Sequence, residues 1–132
     1  MKGYLMQEKS FIRGESIFIE SGSPANSFAV AFEDDGDTGY FYAIDKLAGG
    51  EDKILDALHI YETEPETKIE SRLMIIWSRD WLQCALVLDD ECHALFDFQE
   101  QGGYNISEFP PPNNFWTRKG RTLTNDLITK IF

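Results

Sequence analysis

The sequence predicts one mainly β domain over residues 1–132: an antiparallel β-sandwich or partly open barrel of about seven strands, with a C-terminal helix. Short apolar runs that alternate or are rich in β-branched residues recur along the chain, separated by turns rich in Gly, Pro and Asp. Helical spacing of apolar residues is clear only over Leu123–Phe132. Hydrophobic residues make up 42% of the chain, which is enough for a core without disulfides or metal.

The clearest element is a hairpin whose arms are Phe28–Glu33 and Thr38–Asp45. With a four-residue loop, Phe32 would pair with Gly39. A three-residue loop with Gly36 in a left-handed bulge would shift this register by one. Both faces of the hairpin are largely apolar. We therefore predict that it lies at the centre of the fold, covered on both sides.

The other elements follow from turn residues and periodicity. Lys53–Glu62 begins with helical spacing, but its β-branched and aromatic ending favours a strand. Pro110–Asn114 cannot join a ladder because its prolines lack the N–H group, and Gln101–Asn105 is also predicted to be a loop. Thr122 or Thr124 would cap the C-terminal helix. The remaining predicted strands are Ser16–Glu20, Ile69–Trp77, Trp81–Leu88 and Cys92–Phe98, the last three forming a meander.

The charge balance restricts the classes of partner. The chain has 23 acidic and 12 basic residues, giving a net charge of −11. Nucleic acids and anionic membranes attract cationic proteins, so this balance argues against both as partners. The first residues lack the apolar run of a signal peptide, and no segment is long enough to span a membrane. With two cysteines expected to be free thiols, these features predict a cytoplasmic protein.

The loop of the hairpin is the densest cluster of possible ligand groups. Asp34, Asp35 and Asp37 surround Gly36, and carboxylates are the ligands that Ca²⁺ and Mg²⁺ prefer. The run lacks the alternating acidic pattern and the final Glu of the twelve-residue calcium loop. Asp and Gly are also the residues that tight turns require. We therefore predict a turn, with no metal or cofactor. A cation site is the weaker alternative, and contact with a basic partner is the preferred functional interpretation.

Three residues would serve a small-molecule site. Tyr40, Tyr42 and His59 would line a pocket between the sheets with the acidic loop at its mouth. His59 has no second histidine nearby in the sequence, so a structural role is the preferred interpretation. Cys84 and Cys92 are too far apart along the predicted ladder for a disulfide. The sequence contains none of the common hydrolase, phosphate-loop or dinucleotide motifs, which favours a protein that is not an enzyme.

Two aromatic-rich segments have alternative interpretations. Trp77 and Trp81 flank a predicted turn and would, with Phe98, either stabilise the hairpin or form a partner-binding surface. Residues 115–121, FWTRKGR, form the main basic cluster. In an acidic chain we expect this cluster to pair with the protein's own acidic surface, or with the acidic loop of a second copy.

Ser23-Pro24, the run FEDDGDTGYFYAID (Phe32–Asp45) and the run ILDALHIY (Ile54–Tyr61) resemble an uncharacterised bacterial family, the domain of unknown function 2251. The resemblance covers roughly the first half of the chain. It implies a small bacterial cytosolic protein with no assigned activity and no established catalytic residues, so it carries over no active site. It directs attention to the residues in the matching segments: Asp34, Asp35, Gly36, Asp37, Gly39, Tyr40, Tyr42 and His59.

These observations lead to the hypothesis of a non-enzymatic interaction protein, which would bind a basic protein partner through acidic loops and exposed aromatic residues. Small size, acidity and the lack of catalytic motifs are features shared with toxin-neutralising immunity proteins, an analogy that rests on charge and size alone. The alternative is the small-molecule or divalent-metal pocket near Tyr40, Tyr42 and His59. A homodimer formed by strand or aromatic-face pairing is a third possibility.

Overall fold

The structure, a computed structural model, describes residues 2–47, 53–64 and 66–132. Two antiparallel sheets pack face to face, so the predicted mainly β fold is confirmed as a sandwich rather than a closed barrel. The described residues contain nine strands instead of about seven, and one short helix. The elements are β1 Tyr4–Ile12, β2 Ile17–Gly22, β3 Phe28–Asp34, β4 Thr38–Asp45, β5 Lys53–Glu62, β6 Glu70–Trp77, β7 Gln83–Leu88, β8 Glu91–Asp97, β9 Gly102–Asn105 and α1 Asn125–Thr129.

The five-stranded sheet has the order β1-β6-β7-β8-β9, and the four-stranded sheet has the order β2-β3-β4-β5. The predicted meander is present as β6, β7 and β8. The strand preferred for residues 53–62 is confirmed as β5. Two strands were not predicted. β1 is mostly exposed and lacks a clear alternation, and β9 has the sequence GGYN, which resembles a loop.

Glycine is required in β9 by close packing. A Cβ atom at Gly103 would lie 2.8 Å from the carboxylate Oδ2 of Asp56 and 2.8 Å from the ring of Phe96. Two side chains therefore approach the strand where its own side chain is missing. The loop predicted for Gln101–Asn105 was wrong because Gly103, one of the two glycines that suggested a loop, serves this contact instead.

The main core lies between the sheets. Alternate residues of the four-stranded sheet face it, among them Phe32, Phe41 and Leu58, all with no exposed surface. The five-stranded sheet contributes Trp77 and Phe96, which are equally buried. A second apolar cluster covers the outer face of the five-stranded sheet, where the C-terminal segment packs with Leu123, Leu127, Ile131 and Phe132.

The predicted hairpin is present as β3 and β4, the two inner strands of the four-stranded sheet. Each residue lies on its predicted face, but the predicted cover on both sides is wrong: the outer cluster of Ala29, Ala31 and Ile44 packs with Tyr42 of the same sheet. The register differs by two residues, since Phe32 pairs with Phe41 and Asp34 pairs with Gly39. A shift of two leaves every side chain on its own face. Gly36 has φ +103° at the tip, a conformation that favours glycine.

The C-terminal helix is shorter than the predicted range. It spans Asn125–Thr129, and Thr124, one of the two predicted caps, accepts a hydrogen bond from the N–H of Leu127 at 3.3 Å. The N–H groups of Lys2 and Gly3 both donate to the carbonyl of Ile131, which ties the two ends of the described chain together. No helix in the described ranges is long and apolar enough to cross a membrane.

Candidate functional site

Four connections meet at one end of the sandwich: the β1–β2, β3–β4, β5–β6 and β7–β8 turns. Hydrogen bonds join them across the sheets, since Gly14 donates to Asp34 and Thr63 donates to the carbonyl of Asp37. Exposed carboxylates gather on these turns and the adjoining strand ends. We call this surface the acidic end and define it by Glu15, Asp35, Asp37, Glu62, Glu64, Glu66, Glu70, Asp89, Asp90 and Glu91.

Asp34 lies beneath this surface rather than on it. Its side chain is 1% exposed, and both of its oxygens accept hydrogen bonds from within the chain. Oδ2 accepts from the N–H of Gly14 at 2.7 Å and the hydroxyl of Tyr61 at 2.6 Å, and Oδ1 accepts from the N–H of Gly36 at 2.8 Å. Burial, and then the bond to Asp34, raises the pKa of Tyr61 well above its usual range. Asp34 therefore anchors the turn, and its placement as an accessible ligand or contact residue is corrected.

Asp35 and Asp37 occupy the exposed part of the tip. Oδ1 of Asp35 accepts hydrogen bonds from the N–H groups of Asp37 and Thr38, both at 2.9 Å, and these bonds lower the pKa of Asp35. Within the described ranges, no group of three or more His, Cys, Asp or Glu side chains is placed to hold a metal ion. The geometry of the tip is that of a turn with two carboxylates facing water.

A cleft of about 560 Å³ opens at the acidic end. Arg13 lies beside it, donating through Nε to Ser71 Oγ at 2.7 Å and through Nη2 to Asp89 Oδ2 at 3.2 Å. Its guanidinium group also lies 4.7 Å from the centre of the Tyr61 ring. Arg72 pairs with Glu8. The arginines near the cleft are thus engaged within the chain. The cleft is lined by Ser10, Phe11, Ile12, Glu15, Glu70, Ser71, Arg72 and Asp89.

The pKa of His93 on β8 depends on charged groups at the acidic end. Burial lowers its pKa, the neighbouring Glu91 carboxylate opposes this shift, and Arg13 adds to it. Asp89 also acts to raise the pKa.

We expect acidification from pH 7.5 to 5.5 to destabilise the protein in part through His93. A group whose pKa is lowered on folding binds more protons in the unfolded state, so its stabilising effect is complete above the unfolded pKa of about 6.5 and is lost below it. Urea unfolding at both pH values is the measurement, and His93→Gln should reduce the loss. An equal loss in the variant would contradict this assignment. Asp35 and Asp89, whose pKa values are lowered from 3.8, titrate below this window.

Tyr40, Tyr42 and His59 are brought together, but on the outer face of the four-stranded sheet. The Tyr40 ring lies 6.2 Å from Tyr42 and 5.7 Å from His59, measured between ring centres. All three are half-buried. They alternate with core residues such as Phe41 and Leu58, so their side chains point away from the other sheet. The predicted pocket between the sheets is therefore not formed by these residues.

His59 also contacts a serine. Its Nδ1 lies 3.2 Å from Ser107 Oγ. That oxygen accepts hydrogen bonds from Asn105 Nδ2 at 3.1 Å and from the N–H of Phe109 at 3.3 Å. A nucleophilic serine needs a free lone pair directed at a substrate, whereas both donors here point at this oxygen. The arrangement links β5, β9 and residues 106–109 structurally.

The two tryptophans do not form a surface patch. Trp77 has no exposed surface, lies in the core, and donates through Nε1 to Ser21 Oγ at 3.0 Å. Its ring stacks on Phe98 at 5.8 Å. Trp81 is half-buried in the following turn and stacks on Tyr4 at 4.9 Å. The stabilising interpretation therefore fits Trp77, and its alternative role in partner binding is corrected.

Comparisons with known proteins give matches that cover most of the chain. A family model described as an uncharacterized protein conserved in bacteria, DUF2251, matches residues 11–132. The chain belongs to the DUF2251 family. An uncharacterized protein from Haemophilus influenzae is 38% identical over 96 residues, which cover 70% of this chain and 59% of that relative. The chain thus spans less than two thirds of the length of this relative. No solved structure matches this chain.

The DUF2251 match includes a buried ion pair that the sequence did not predict. Arg121 donates through Nη1 and Nη2 to the two oxygens of Asp56, both at 2.8 Å, and the two residues are 2% and 4% exposed. Thr117 donates to Asp56 Oδ2 at 2.6 Å, and Arg121 also donates to the carbonyls of Pro110 and Gly103. Part of the predicted basic cluster is therefore inside the protein. Pairing with the protein's own acidic surface or with a second copy was expected, whereas the carboxylate that Arg121 binds is buried and lies 65 residues away.

Proposed function

We propose that this DUF2251 protein is a non-catalytic interaction module that binds a basic protein partner through the acidic end. The proposal extends to a cytoplasmic location, which the two free cysteines, Cys84 and Cys92, favour. The observation that carries it is the concentration of exposed carboxylates on the turns of one end, while the arginines beside them are paired within the chain.

Charge and shape both support a cationic partner. The cleft at the acidic end has carboxylates of Glu15, Glu70 and Asp89 on its walls, and its volume is within the range of protein ligand pockets. A lysine or arginine side chain entering there would meet the carboxylates of Glu15 and Glu70, whereas Asp89 and Arg72 already have partners within the chain. The carboxylates around the cleft would also accelerate encounter with a basic protein, an effect that salt screens.

The second copy of this chain is a weaker candidate for the partner. β1 is an edge strand, which invites pairing. However, its ladder is interrupted by an irregularity between Leu5 and Gln7, and Lys9 lies opposite the core residue Leu73, on the inward face. Bulges and inward-pointing charges are devices that protect an edge from pairing.

Two matched variants test the proposal. Asp37→Asn, Glu62→Gln and Glu66→Gln together remove three charges from the acidic end. Asp80→Asn, Glu100→Gln and Asp126→Asn remove three exposed charges elsewhere. Each protein is immobilised and exposed to host-cell lysate at about 50 mM and then about 300 mM salt.

We expect a basic protein to be retained at low salt by the native chain and the second triple variant, and to be lost from the first. Equal retention by both variants would contradict the proposal, as would capture of acidic proteins only. Circular dichroism of the variants verifies that each is folded.

A further inference from the structure

A row of side chains crosses the outer face of the four-stranded sheet. Phe18, Glu33 and Tyr40 are directly opposite one another on β2, β3 and β4, in that order. Their neighbours Ile19, Phe32 and Phe41 face the core, so this row faces outward. Side chains in such cross-strand positions have Cβ atoms about 5 Å apart. A carboxylate is thus flanked by an aromatic ring on each side.

Within this row the Phe18 ring is exposed and the Glu33 carboxylate is held in place. The Phe18 ring is 57% exposed although it is large and apolar, and Glu33 and Tyr40 are half-buried. The hydroxyl of Tyr42 donates to Glu33 Oε1 at 3.1 Å, which holds the carboxylate in place. Burial together with this bond raises the pKa of Tyr42 to about 12. Tyr42 therefore remains a donor throughout the physiological range.

A guanidinium group already packs on a tyrosine ring inside this chain, with Asp89 as its carboxylate partner. At the acidic end, the hydroxyl of Tyr61 donates to Asp34, and the guanidinium group of Arg13 lies over the Tyr61 ring. On the outer face, Tyr42 likewise donates to Glu33, and the rings opposite that carboxylate are those of Phe18 and Tyr40. Among the described residues, the cation–ring contacts are those of Arg13 with Tyr61 and of Lys53 with Phe115, and neither involves this row.

We propose that the row Phe18–Glu33–Tyr40 is a binding site for an arginine side chain of a partner protein. A planar guanidinium group stacks on aromatic rings and donates two hydrogen bonds to a carboxylate, and lysine cannot do both. The row lies next to the acidic end, because Glu33 precedes Asp34 and Asp35 on the same strand and turn. The inference rests on the proposed function and names the side chain that the basic partner presents.

The test is an NMR titration of the intact chain with N-acetyl-arginine amide, followed on the ring resonances of Phe18 and Tyr40. N-acetyl-lysine amide and the uncharged N-acetyl-citrulline amide are the comparison probes. We expect saturable shifts with the arginine probe, weaker ones with lysine and none with citrulline.

Variants of the row test the contribution of each residue to arginine binding. Phe18→Leu should weaken binding about fivefold through loss of the ring contact. Glu33→Gln should weaken it about tenfold or more, since it keeps the shape and the acceptor for Tyr42 but removes the charge. Tyr40→Leu should also weaken binding about fivefold, because it removes the second ring beside Glu33. Unchanged binding by Glu33→Gln, equal shifts with citrulline, or no saturable shift at Phe18 would each overturn the inference.

The acidic-end triple variant separates this inference from the proposed function. If that variant abolishes both partner capture and the arginine shifts while the row variants abolish neither, the inference fails and the proposed function stands. If partner capture is equal in both triple variants while the shifts at Phe18 persist and depend on Glu33, the proposed function fails and the arginine site stands.

Discussion

Replacing Asp34 with alanine is expected to lower the free energy of unfolding by about 3–5 kcal/mol. The carboxylate accepts hydrogen bonds from Gly14, Gly36 and Tyr61, which belong to three different connections or strands. Without it, the buried hydroxyl of Tyr61 and the N–H of Gly14 lose their acceptor, and each unsatisfied donor costs about 1–3 kcal/mol. Urea unfolding followed by circular dichroism measures the change.

The matched control is Asp37→Ala, three residues further along the same tip. Asp37 is exposed, and its side chain has no hydrogen bond or ion pair with the described residues. We expect a change within about 0.5 kcal/mol. A similar loss for both variants would show that Asp34 is not the anchor that its burial and bonds indicate.

Replacing Arg121 with methionine is expected to lower the free energy of unfolding by about 3–5 kcal/mol. The substitution leaves the carboxylate of Asp56 buried without its counter-charge. It also removes the donor for the carbonyls of Pro110 and Gly103. Through these bonds and the ion pair with Asp56, Arg121 joins residues 106–122 to β9 and β5. Urea unfolding again measures the effect.

Arg118→Met is the control for this prediction. Arg118 is exposed and lies three residues earlier in the same basic cluster, so its replacement should be nearly neutral. The double variant Asp56→Leu with Arg121→Met removes both charges and should recover much of the loss, because apolar residues can replace a buried pair at little cost. A double variant as unstable as Arg121→Met alone would contradict the assignment of the loss to an unpaired charge.

The sequence-based prediction was strongest where the signal is local. Alternation within Phe28–Glu33 and Thr38–Asp45 assigned the correct faces to the central hairpin, since alternation depends only on neighbouring residues. The register was wrong by two residues. Asp34 belongs to the ladder and is fixed by Gly14 and Tyr61, contacts that turn chemistry alone does not contain.

The features that were missed depend on contacts between distant residues. Gly103 of β9 is required by Asp56 and Phe96, neither of which is adjacent in the sequence. The burial of Trp77 depends on the opposite sheet, where Ser21 accepts its N–H group. The turn that follows Trp77 in the sequence does not indicate which residues of the other sheet cover its ring.

The same contrast between local signals and contacts of distant residues applies to the candidate site. Its overall acidity and the exposure of Asp35 and Asp37 are accessible from composition and turn residues. The gathering of four turns at one end, the engagement of Arg13 and the row formed by Phe18, Glu33 and Tyr40 arise from sheet topology and register. These features depend on how distant strands pair, which local sequence patterns do not specify.

The most direct test of the acidic end as the partner surface is a map of carbodiimide cross-links between this chain and a captured partner. Carbodiimide joins a carboxylate to a lysine amine only where the two groups touch. We predict cross-links from Asp35, Asp37, Glu62, Glu64 and Glu66 to lysines of the partner. Cross-links confined to Asp80, Glu100 and Asp126 would contradict the assignment of the partner surface to the acidic end.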